Sequence, residues 1–263
     1  MSFLDHLEEL RWLLVRSTSA VLIMAGITYF FSDFIFDNII FAPTSPNFFT
    51  YTFFCDLSHQ LGFADSICIT ELPFIIQNTS MEGQVNMFIW TCITAGFILA
   101  FPFILWELWK FISPALYEKE RKNVRVFIFI ASILFFIGVL FGYYVIVPMS
   151  INFCATFSIS KMVQNQFTID SYIGMMKTSV IASGLFFELP VIIYFLTKLG
   201  LVTPLFLRKY RKYSVVIVLL ISAIVTPPDV VSQIIVAIPM LLIYEASIFI
   251  SVFVYKNKIK ENV

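Results

Sequence analysis

Histidine occurs twice in the 263 residues, at His6 and His59, and a GxxxxGK[ST] loop does not occur at all. The missing loop removes phosphate binding of the P-loop kind, so the chain hydrolyses no nucleotide by that route. Two isolated histidines give no HExxH zinc site. The four cysteines show no CxxC spacing, and charged residues make up only 13% of the chain. These shortages point away from an enzyme, and no cofactor, metal centre or nucleic-acid partner is expected. Apolar residues are what the chain has: 59% are hydrophobic, 31 are phenylalanine, and mean hydropathy is +0.90. One soluble core cannot hide that much apolar surface, so an all-α integral membrane protein is expected. The first residues are acidic and no small-residue cleavage site follows the first apolar run, which argues against a cleavable signal.

A bilayer core of ~30 Å needs roughly 20 apolar residues per helix. Six stretches qualify or nearly so, at about 13–31, 85–106, 126–147, 178–197, 214–226 and 231–255. Pro148 is expected to end the third. Glu188 interrupts the fourth, and "TPPD" at 226–229 stops the fifth, because proline removes a backbone donor and clashes with a continuing helix. The fifth is short enough that the membrane should thin around it or protein should cover it. No internal repeat or Gly/Ser linker divides the chain, so residues 1–263 read as one polytopic domain.

Charge sets the expected orientation. With the N-terminus in the cytosol, every Lys and Arg except Lys161 and Lys177 falls on the inner side. The first outer loop, 32–84, holds six acids and no Lys or Arg. The positive-inside rule is then met at each crossing, and both termini are cytosolic. This topology also puts His6 and His59 on opposite sides of the membrane, which excludes an intramembrane protease built on a histidine.

The opening segment, "MSFLDHLEELR", departs from the usual positive flank. Phe3, Leu7, Leu10 and Leu14 form an apolar stripe at helical spacing, with Asp5, Glu8 and Glu9 on the other side. An amphipathic helix on the cytosolic membrane surface is expected there. Its acids either complement the helix dipole or form a receptor for a basic ligand. The segment "FISPALYEKERK", 111–122, offers Ser113 as an N-cap and Pro114 at the first helical position, with Glu118 and Glu120 among basic residues. Such charge runs are commonly solvated pairs of little energetic weight.

Acids within the apolar stretches carry more information. Glu188 lies eleven residues after Lys177 and ten before Lys198, near the bilayer midplane. A carboxyl there is protonated, hydrogen-bonded to a neighbouring helix, or open to a wet cavity, and Pro190 frees backbone groups close by. Glu245 sits nearer the cytosolic side and can snorkel or pair. Asp229 belongs to a tight outer turn. Cys55, Cys68 and Cys154 fall on the oxidising side, where a Cys55–Cys68 bridge is a candidate.

Taken in order, "FLDHLEELR", "FAP", "WKFISPALYEKERK", "FFELP" and "TPPDVVSQIIVAIPM" resemble the TatC family of the twin-arginine protein translocase. The resemblance covers nearly the whole chain and is weakest in the first outer loop, where nothing is carried over between Asn47 and Glu82. It implies a curved, cupped arrangement of six helices in the bacterial inner membrane. It also implies a receptor for folded precursors with twin-arginine signal peptides, working with single-span TatA/TatB-type subunits in a hetero-oligomer driven by the proton-motive force. By matching motifs, Glu9, Phe111, Pro114, Glu120 and Arg121 would bind or shape the signal site, with Leu10 and Arg11 helping to form the N-terminal block. Pro43 would shape the outer cap, and Glu188 would be the polar residue of the concave membrane face. Thr226, Asp229 and Gln233 would belong to the contact region for partner helices. The competing reading is a proton-coupled secondary transporter of small solutes using Glu188, although such folds usually show internal repeats. A structural scaffold is a third, and would leave the cytosolic acids without effect.

Overall fold

The computed structural model describes residues 3–60, 72–112, 124–160, 162 and 164–261. Most of them are helical. α1 (Phe3–Phe30) leads into a short α2 (Ser32–Ile35), a π-helical turn (Phe36–Ile40) and a 3-10 turn (Ala42–Thr44). α3 (Phe49–Gln60) follows, then β1 (Ile75–Gln77) and α4 (Gly83–Ile112). α5 (Val124–Phe141), a π-helical turn (Gly142–Ile146) and α6 (Val147–Thr156) form one apolar run. After β2 (Gln166–Thr168) come α7 (Ile169–Phe187), α8 (Leu189–Leu199), α9 (Pro204–Lys209), α10 (Arg211–Val225) and α11 (Val230–Glu261). Five stretches are long and apolar enough to cross a membrane: His6–Phe30, Gly83–Ile112, Val126–Thr156, Ile169–Leu199 and Ser232–Lys256. α10, at 15 residues, rises only about 22 Å.

Several expected boundaries are corrected. The first apolar stretch is not preceded by a separate surface helix, because α1 runs unbroken from Phe3. Leu7, Leu10 and Leu14 of the expected stripe are exposed and face away from the protein. The α4-facing side is instead made by Glu9, Leu13, Ser17, Val21, Ala25 and Thr28. The second stretch extends to Ile112, so Glu107 and Lys110 are inside the helix. The third does not stop at Pro148. That proline has no N–H for the Tyr144 carbonyl four residues back, and the Thr50 hydroxyl donates to this carbonyl instead. With the orphan acceptor satisfied, helix continues to Thr156. The fourth begins at Ile169, nine residues before the expected start, capped by Thr168, and breaks at Glu188.

Apolar side chains gain little by leaving lipid for another helix, so packing relies on close approach and interhelical hydrogen bonds. Both are present. A Cβ on Gly96 would lie 2.6 Å from the backbone nitrogen of Ala25, which places α4 directly against α1. The Thr28 hydroxyl adds a contact to the Cys92 carbonyl at 3.1 Å. α5 and α7 meet at Gly138, whose carbonyl accepts from Ser183, a serine with no exposed surface. Ser179 reaches the Val225 carbonyl at 3.3 Å, and Thr197 and Ser251 share a 2.8 Å hydrogen bond. Phe101 and Phe135 stack with centroids 3.5 Å apart between α4 and α5. Around these contacts the outward faces carry exposed Phe, Leu and Ile, as lipid requires.

The end opposite the N-terminus is closed by a cap. Pro43 is fully buried, and Tyr51, 4% exposed, puts its hydroxyl 3.1 Å from the Pro43 carbonyl and 3.2 Å from that of Pro148. Tyr172 donates to Ile40 at 2.7 Å and Tyr143 to Ile39 at 2.8 Å. β1 pairs in parallel with β2, matching Ile75, Ile76 and Gln77 to Gln166, Phe167 and Thr168. The Asn165 amide lies within 3.1 Å of the carbonyls of Cys154, Ala155 and Phe157 at the end of α6.

Candidate signal-binding face and intramembrane polar sites

The face that carries the N-terminus brings the start of α1 against the last turn of α4. The His6 ring stacks on Phe111 with centroids 4.3 Å apart at 21°. Glu9, three residues further on, shares that side of the helix and is half-buried. Its Oε2 is closed off from solvent and has no hydrogen-bond partner among the described residues. Leu10 points outward, and Arg11 lies 3.8 Å from Glu8 with its guanidinium over the Trp12 ring. The structure therefore brings Glu9 and Phe111 to one helix pair. Pro114, Glu120 and Arg121 lie outside the described residues.

Glu107 is the residue of this face that the sequence reading missed. It is 4% exposed and holds two cations, Arg16 at 3.3 Å across the α1–α4 interface and Lys110 at 2.5 Å one turn along. A carboxylate buried to this degree needs paired charge or hydrogen bonds, and here it has both. The signal available in the sequence was the Glu107–Lys110 spacing of three, hidden by ending the helix at Trp106.

Glu188 ends α7, with Pro190 in the first turn of α8. It is 6% exposed, and neither carboxyl oxygen has a hydrogen-bond partner among the described residues. Its carboxyl is thus enclosed at the break between the two helices. Glu245 takes the pairing option: it bonds Arg211 of α10. Beside these elements an apolar groove of about 410 Å³ runs between α7–α8 and α10–α11, lined by Leu185, Leu189, Ile193, Ile217, Val218 and Ile221 among others.

Thr226, Asp229 and Gln233 gather at the α10–α11 turn. Thr226 is buried and donates to Ser222 at 2.8 Å. Asp229 caps α11 by accepting from the backbone and hydroxyl of Ser232 at 2.8 and 2.7 Å. Gln233 donates to the Leu219 carbonyl at 2.9 Å and so ties α11 to α10. Cys55 is disulfide-bonded, whereas Cys92 and Cys154 are free thiols. Cys68 lies outside the described residues. No group of three or more His, Cys, Asp or Glu able to hold a metal occurs among the described residues.

A bundle of long apolar helices with a capped far end and a buried carboxyl at a helix break defines a polytopic membrane protein. Residues 5–239 match the family described as Sec-independent protein translocase protein (TatC). The chain belongs to the TatC family. It is 41% identical to the TatC protein of a Blattabacterium from Periplaneta americana, covering 98% of this chain and 97% of that one. It is 33% identical to the Aquifex aeolicus TatC protein, covering 98% of each. The crystal structure titled Twin Arginine Translocase Receptor-TatC superposes with a TM-score of 0.72 at 32% identity, over 95% of this chain and 99% of that one. The chain is a translocase component and not an enzyme.

Proposed function

We propose that this chain is the signal-peptide receptor and core subunit of the twin-arginine translocase in a bacterial cytoplasmic membrane, exporting folded precursors with the proton-motive force. In this reading α10 is a sixth, short crossing, both termini are cytosolic, and the six crossings form one curved, cupped unit. The half-buried Glu9, placed beside Phe111 with an unpartnered oxygen, carries the reading. A guanidinium is always charged and planar, so a carboxylate binds it in a two-pronged geometry that lysine cannot reproduce. Glu9 takes one arginine of the signal, Glu120 the other, and Phe111, Pro114 and Arg121 shape the site. Single-span TatA/TatB-type partners pack against the bundle near Thr226, Asp229 and Gln233, with Glu188 as the polar residue facing them. The groove between α7–α8 and α10–α11 offers apolar surface for side chains of such a partner.

Binding of a twin-arginine peptide to the intact protein tests the receptor role. Each charge-assisted contact contributes about 1.5–3 kcal/mol where water is partly excluded, so removing either Glu9 or Glu120 weakens binding about tenfold or more. A Lys-Lys peptide binds more weakly than the Arg-Arg parent. Equal affinity of the parent and Glu9→Ala/Glu120→Ala overturns the reading.

A further inference from the structure

Arg11 and Arg16 follow Glu9 on α1, Lys110 lies in the last turn of α4, and two other acids hold all three. Arg11 pairs with Glu8, while Arg16 and Lys110 both pair with Glu107. Glu9 alone in this group keeps a buried carboxyl oxygen without a hydrogen-bond partner among the described residues. The distribution is not forced by distance along the chain. Arg16 is two turns after Glu9 on the same side of α1, and its side chain reaches back along the helix, with the guanidinium 5.8 Å from the Trp12 ring centroid. Lys110 immediately precedes Phe111, whose ring already covers His6 one turn from Glu9. Glu107 is the group that draws both of them to the α1–α4 interface.

We propose that Glu107 keeps the chain's own Arg16 and Lys110 off Glu9 and masks their charge, so that the Glu9 carboxylate stays unpaired until a guanidinium of the ligand reaches it. Glu107 is a positioning residue: it touches the resident cations, not the ligand. This inference rests on the receptor reading of Glu9. Without Glu107, a resident arginine competes for the carboxylate at an effective concentration no free peptide matches. Whatever charge remains uncompensated also repels a dibasic ligand. An Arg16–Glu107 pair that served only to pin α1 against α4 would have neither effect.

The two roles separate by experiment on the intact protein, with a fluorescent twin-arginine peptide as the probe. Glu107→Gln keeps the side-chain shape and loses the charge, and peptide affinity falls about tenfold, a change of about 1.4 kcal/mol. The triple variant Arg16→Gln/Glu107→Gln/Lys110→Gln removes the competitors with their mask, and affinity returns to about the parental value. The deficit of the single variant also shrinks near 1 M salt, where the screening length is about 3 Å. Unchanged affinity in Glu107→Gln overturns the inference, as does a triple variant that stays about tenfold weak, which is what a mere pin predicts. If Glu107→Gln does not fold, the triple variant decides alone by the same criterion. Failure of the parent to bind the peptide overturns the receptor reading itself, and this inference with it.

Discussion

The hydroxyl of Tyr51 sits between the carbonyl oxygens of Pro43 and Pro148, two residues more than a hundred positions apart in sequence. One proton serves two acceptors, so the 42–44 turn, α3 and the start of α6 are joined at a single buried atom.

Tyr51→Phe leaves both carbonyls without this donor and lowers stability by about 1–3 kcal/mol, read as a drop in thermal midpoint in detergent. Burial pushes the Tyr51 hydroxyl above its usual ionisation range. A raised folded-state value means the contribution is complete below about pH 10, the unfolded phenol value, and is lost as pH rises further. The parent therefore loses stability above about pH 10 more steeply than Tyr51→Phe does.

Gly96 and Gly26 form a matched pair of substitutions. A methyl group at Gly96 runs into the Ala25 backbone, while one at Gly26 meets nothing within 4 Å. Gly96→Ala is expected to destabilise by about 1–3 kcal/mol, and Gly26→Ala to be tolerated. Equal midpoints for the two variants would contradict the close approach of α1 and α4.

Cys55 and Cys68 are proposed as the bridged pair. They are thirteen residues apart, and closing such a loop stabilises by about 3 kcal/mol. Thiol labelling of the unfolded, unreduced protein should mark Cys92 and Cys154 only, and reduction should lower the thermal midpoint. Labelling of Cys68 before reduction rules the pairing out.

Glu188→Gln retains hydrogen-bonding capacity without an ionisable group, so the fold should persist while transport or complex assembly falls. Glu188→Ala should fall further, by about tenfold or more, the scale of one hydrogen-bonded contact of about 1.4 kcal/mol to the proposed partner helix. Full export by the alanine variant, measured with a folded reporter, would remove Glu188 from the mechanism.

The apolar stretches were legible because lipid imposes a length and a composition on any helix that crosses it. Proline was the less reliable guide. Pro148 reads as a terminator until Thr50, 94 residues before Tyr144, supplies the missing donor. Glu188 and Pro190 do interrupt their helix. Glu9 was picked out by type and motif, and its side of α1 followed only from the packing. Glu107 was passed over because the helix was ended at Trp106, and its cross-helix partner Arg16 lies 91 residues away. Local pattern reports what a helix is made of, and distant partners report which charges remain available.

The pairing of β1 with β2 orders events in time. Gln77 and Gln166 are 89 residues apart, and their side chains meet at 3.1 Å. Between them lie α4, α5 and α6, which must have crossed before the strands can find each other, and long-range closure of this kind comes after local helix formation. The strand pair is thus the last part of this half of the chain to form. Its protection from protease marks the moment when α4 and the α5–α6 run between the strands are both in place.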